Sequence, residues 1–145
     1  MVRLRQPKIK TLDWDGRPII IQVVEETASR CSITSTPMQV FIKLIYLPDK
    51  KLIELVSFRK FVNWYAARKP NTVEEIADEL AEIVYKTAEP KYVAVEVIIK
   101  TADHGVALAV TARPKTIVEY YSDVLKIITS MLINAENAEV TLDVH

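Results

Sequence analysis

The sequence predicts an α+β fold in which four antiparallel strands carry two helices on one face. Three observations predict it. Short β-branched runs recur at residues 18–25, 39–47, 92–101 and 106–112. Between the second and third run lie two stretches whose apolar residues follow helical spacing. Breaker signals separate the elements: Asp15-Gly16, Pro48-Asp49, Lys69-Pro70-Asn71 and Pro90. The resulting order is strand, strand, helix, helix, strand, strand. With both helices on one side, the other face and the sheet edges are left for neighbouring subunits to cover.

The elements follow in chain order. Residues 1–17 form a basic arm (Arg3, Arg5, Lys8, Lys10) that ends in a turn. Pro18 to Glu25 reads as a strand, and residues 26–37 as a polar loop rich in Thr and Ser. Gln39 to Leu47 is apolar on both alternating faces except Lys43, the pattern of a strand covered on both sides. Ser57 is placed to cap a helix with Phe58, Phe61, Val62 and Tyr65 on one face. Thr72 and Glu75 form a capping box for a second helix, which buries Val73, Ile76, Ala77, Leu80, Ile83, Val84 and Thr87. Tyr92 to Thr101 and Val106 to Ala112 are strands joined at a hairpin turn, Ala102 to Gly105. Beyond residue 113, Ile117, Tyr121, Val124, Leu125, Ile128 and Leu132 make a helical stripe, and Val140 to Val144 a further strand. The expected organisation is an arm (1–17), a domain (18–112) and a C-terminal extension (113–145).

Composition narrows the classes of function. The 145 residues hold 19 basic and 19 acidic side chains, so net charge gives no support for nucleic-acid binding. Only Gly16 and Gly105 are present, which excludes a P-loop and a dinucleotide-binding glycine fingerprint. Cys31, His104 and His145 are the only soft ligands, so no metal site is expected within one subunit. A lone cysteine suits a reducing compartment, and no apolar run reaches membrane-spanning length; a cytoplasmic protein is expected. The balance of Ile, Val, Glu and Lys over Asn, Gln and Gly is of the thermophilic kind.

The residue that carries most information is Cys31, set in a polar segment ahead of a long apolar strand. A buried thiol usually behaves as a small hydrophobe, but a polar loop is a poor place for one. Glu26, Ser29, Cys31, Tyr46, Pro48, Asp49, Lys50, Lys51 and Glu54 fall in register, without a gap, with the motif of the QueF family. The chain resembles that family, in which a cysteine attacks the nitrile of 7-cyano-7-deazaguanine. The resemblance implies the tunnelling fold and a cyclic oligomer of pentameric rings that stack face to face. It also implies a site in which Cys31 and Glu74 share a pocket at a subunit boundary. Glu74 would grip the base edge, with Ser29, Glu54 and Ser57 contributing to substrate binding. A carboxylate at a helix start is held ionised by the local partial charges and can accept two parallel hydrogen bonds from a guanine-like edge. Arg30, if turned inward, would lower the pKa of Cys31.

Departures from the motif are equally specific. The family's aspartate falls at Met38 and its histidine at Val73. Neither replacement can transfer a proton, which leaves Glu25, Glu26, Asp103 or His104 as substitutes. Val56 stands where the NADPH-dependent nitrile reductases have a lysine, and losing that cation argues against hydride transfer. The short hairpin after Val97 resembles the amidinotransferase branch, archaeosine synthase. The expected reaction is therefore transfer of ammonia to the nitrile of 7-cyano-7-deazaguanine in tRNA through a Cys31 thioimide, with no metal and no nicotinamide cofactor. NADPH-dependent reduction of the free base is the alternative. A non-catalytic paralogue that binds a purine-like ligand or tRNA is the other.

Overall fold

The computed structural model describes residues 5–102 and 105–114. Two compact units divide the chain, Met1–Arg113 and Pro114–His145. The helical stripe and final strand expected in the second unit, and the centre of the hairpin turn at 103–104, lie outside the described residues.

Alternation along the longest strand sets the architecture. We number the strands β1 (Thr11–Asp13), β2 (Ile21–Arg30), β3 (Pro37–Leu47), β4 (Lys51–Ile53), β5 (Tyr92–Lys100) and β6 (Ala107–Pro114). The helices are α1 (Leu55–Arg68) and α2 (Val73–Ala88). Met38, Val40, Ile42, Leu44 and Tyr46 of β3 are all buried on one face. Their neighbours in register include Val23 of β2 and Val93, Val95, Val97 and Ile99 of β5, which join the same core. The sheet order is β2-β3-β5-β6, and the β2–β3 and β3–β5 pairs are antiparallel.

Both helices cover that face. Phe58, Phe61, Val62 and Tyr65 of α1 and Ile76, Leu80, Ala81 and Val84 of α2 are buried, each large apolar side chain contributing about 1.5–3 kcal/mol. α1 lies against β2 and α2 against β5. Between the helices the Tyr65 hydroxyl donates to Glu79, which also accepts from Arg68 at 3.0 Å. Burial and the Glu79 carboxylate push the Tyr65 phenol well above its ordinary range. The opposite sheet face is mixed: Val24, Gln39 and Lys100 are exposed, Ile45 is buried, and Lys43 meets Glu96 across the strands at 3.8 Å.

The architecture is thus α+β, a sheet with two helices on one face, and several boundaries differ from the sequence expectation. β2 runs to Arg30 rather than stopping at Glu25. Its polar residues are tolerated because β2 ends the sheet, and Glu26, Ala28 and Arg30 face away from the core. β3 begins at Pro37, leaving a tight turn at 31–36. The arm contributes β1, which pairs antiparallel with β4 in a separate ribbon; three-residue strands carry too little periodicity to be seen in sequence. α1 starts at Leu55, capped by Glu54 and not by Ser57.

Tyr46 ties the ribbon to the sheet. It is 1% exposed, and its hydroxyl oxygen accepts from Ile53 N–H at 3.0 Å. Tyr46→Phe removes the hydroxyl that meets this buried donor, and a loss of about 1–2 kcal/mol is expected. Urea unfolding should show a lower midpoint at unchanged slope.

Candidate functional site

Two buried polar side chains, Ser29 and Asn71, meet where the β2–β3 turn joins the α1–α2 linker. Cys31 directly follows β2 and closes the turn: its N–H donates to Thr36 O at 3.0 Å, and Ser35 N–H donates to Cys31 O at 2.9 Å. Ser35 takes a left-handed conformation with φ of 58° to make this closure. Ile33, at the tip, is 87% exposed. Cys31 itself is half-buried and packs against the edge of the core.

The turn is stitched to the helical layer. Cys31 and Asn71 form a parallel bridge, in which Asn71 N–H donates to Arg30 O at 2.9 Å and Ser32 N–H to Asn71 O at 3.3 Å. The next residue, Thr72, caps α2, its hydroxyl oxygen accepting from Glu75 N–H at 3.2 Å. Glu74 stands exposed in the first turn of that helix.

The other residues predicted for binding serve the fold in this structure. Ser29 is buried; its hydroxyl donates to Ala66 O at 2.8 Å and accepts from Asn71 Nδ2 at 3.0 Å. Glu54 accepts from Val56 N–H at 2.8 Å and from Ser57 N–H at 2.7 Å. Ser57 donates to Glu54 O and accepts from Lys10 N–H, both at 2.9 Å. Met38 and Val73, at the positions of the expected acid and histidine, are both in the apolar core. Arg30 is exposed on the sheet face opposite Ser29. Sequence reasoning missed Asn71, which reads only as part of a helix stop. Its burial at 1% follows from the meeting of three segments distant in sequence.

An open depression of about 400 Å³ lies at the end of the sheet, lined by Ala28, Met38, Gln39, Lys100 and Thr101 among others; neither Cys31 nor Glu74 is part of it. Among the described residues no three His, Cys, Asp or Glu side chains come together to hold a metal ion. No helix among the described residues is long and apolar enough to cross a membrane.

Comparison with known proteins places the chain. The model of the family described as GTP cyclohydrolase I matches residues 10–127, so the chain belongs to that family. Among solved structures, that of the archaeosine synthase QueF-Like in its apo form is similar, with a TM-score of 0.61 and 22% identity over 67% of this chain and 95% of the other. That likeness supports a tunnelling-fold type of sheet and helix layer and nothing finer. No curated protein matches. The QueF assignment drawn from the Cys31 motif is thereby corrected. With it go the amidinotransferase reaction, its reductase alternative, and the partners 7-cyano-7-deazaguanine and nitrile-bearing tRNA. The physical reason is that the matched motif is partly architectural. In this structure Ser29, Tyr46 and Glu54 each hydrogen-bond within the scaffold.

The helix cap has a pH signature. Hydrogen bonds from Ser57, side chain and then backbone, and from the Val56 N–H hold the Glu54 carboxyl below its ordinary 4.5. A lowered folded-state pKa contributes stability in full above the unfolded value, and that stability is lost as pH falls through the folded value. Denaturation midpoints measured from pH 7 down to pH 2 should therefore fall less steeply below about pH 4.5 in Glu54→Gln than in the wild type.

Proposed function

We propose that this protein, as a member of the GTP cyclohydrolase I family, acts on a guanine nucleotide by ring hydrolysis, with water as co-substrate. The base-reading end of the site is the junction of the Cys31 turn with the start of α2. The observation that carries this reading is the family match, which runs from residue 10 to 127 and so spans every described strand and helix. The junction adds chemistry of the right kind. The exposed Glu74 carboxylate can accept in parallel from the ring N–H and the amino group of guanine. The backbone bridge at Asn71 holds the turn carrying Cys31 against the residue that leads into this helix.

Hydrolysing a purine ring requires an activated water, which a metal ion supplies in many hydrolases. The described residues lack a donor set for one. Within this reading Glu74 grips the base and the bridge at Asn71 shapes the site.

Assembly into a cyclic oligomer belongs to the same reading. Strands β2 and β6 end the four-stranded sheet; Val24, 62% exposed, lies on its open face, and Ile19 and Ile20, 41% and 48% exposed, precede β2 in the chain. Unpaired strand edges with apolar flanks favour pairing between copies. Light scattering at micromolar concentration should give a mass several times that of the chain, and a monomer would overturn this part.

Incubation with GTP tests the reaction. A product heavier by one water, with loss of the purine absorbance band, is expected, and Glu74→Gln should weaken GTP binding roughly tenfold or more. GTP that binds and returns unchanged would remove the hydrolysis and leave the binding. GTP that does not bind would remove the site.

A further inference from the structure

We propose that Asn71 is the positioning residue of this site, holding the Cys31 turn in register with the first turn of α2; the assignment rests on the reading of the junction as a ligand site. Its backbone N–H and C=O are both committed to β2 and the turn, through Arg30 O and Ser32 N–H. Its side-chain Nδ2 donates twice, to Ser29 Oγ at 3.0 Å and to Lys69 O at 2.8 Å. Ser29 passes the link on to Ala66 O in α1. One residue thus joins the end of β2, the end of α1 and the entry to α2.

The amide is kept at a cost. Asn71 is 1% exposed, yet its Oδ1 has no hydrogen-bond partner. An unpaired buried acceptor is destabilising, and an apolar side chain would avoid it. The two donors at Nδ2 account for the amide, since no apolar residue could tie Ser29 to Lys69. Cys31 is bridged to Asn71 directly, and Glu74 follows it by three positions. Loosening this amide should therefore disturb the thiol and the carboxylate together.

The test uses the full chain. Asn71→Asp keeps the shape and removes both side-chain donors; Ser29→Ala removes one partner only. Alkylation of Cys31 by iodoacetamide, well below the unfolding transition, should accelerate roughly five- to tenfold in either variant, and GTP affinity should fall by a similar factor. The double variant should show little further change than Asn71→Asp alone, because the two residues share one bond. Tyr46→Phe, destabilised far from the junction, should leave both readouts unchanged and so separates positioning from general loss of stability. If Asn71→Asp does not fold, Ser29→Ala decides. Unchanged alkylation in the folded variants overturns the proposal. If the wild type binds no GTP, the reading of the site fails, and the alkylation comparison still decides the role of Asn71.

Discussion

Burial of one face of β3 is the constraint on which the rest of the structure depends. Val40, Ile42, Leu44 and Tyr46 are each at most 1% exposed, and the strands on either side supply apolar partners in register. A strand of period two admits one such register, because a one-residue slip would turn every one of these side chains outward. The helices must then lie on that face, and α1 and α2 present their own buried stripes to it. The open face keeps its mixture of Lys43, Glu96 and apolar groups, since no described helix packs on it.

Polar chemistry is confined by the same burial to the rim. The turn after β2 cannot be absorbed into the apolar core, so its backbone groups find partners in Thr36 and Asn71. This sets Cys31 beside the start of α2, where backbone N–H groups point outward and Glu74 is exposed. The side chains that make this placement possible, Ser29 and Asn71, spend their hydrogen bonds on the chain itself.

That division explains how a motif in register led to the wrong family. Ser29, Tyr46, Glu54 and Ser57 look like site residues because their identities are specific, and specific hydrogen bonds between backbone and side chain also demand specific identities. Tyr46 must reach Ile53, and Glu54 must cap α1. Such requirements belong to a scaffold shared between families of different chemistry. The match over residues 10–127 spans every described strand and helix, which a motif around one cysteine does not.

The sequence by itself determined the order of the four main-sheet strands and the two helices, the core stripe of β3 and the cap at Thr72. Each of these rests on local periodicity or a local hydrogen bond that the residue types announce. It also placed Glu74 in the first turn of α2. Tertiary structure alone decided that β2 extends through its polar half, since the pairing partner Pro37–Leu47 is what makes Glu26 to Arg30 a strand. It alone decided that Glu54 caps α1 and that Thr11–Asp13 pairs with β4. The role of Asn71 was likewise invisible: its partners Ser29 and Arg30 lie about forty residues away in the chain. No local rule says which polar residue a distant strand end will meet, because that meeting is fixed only once the apolar face has closed.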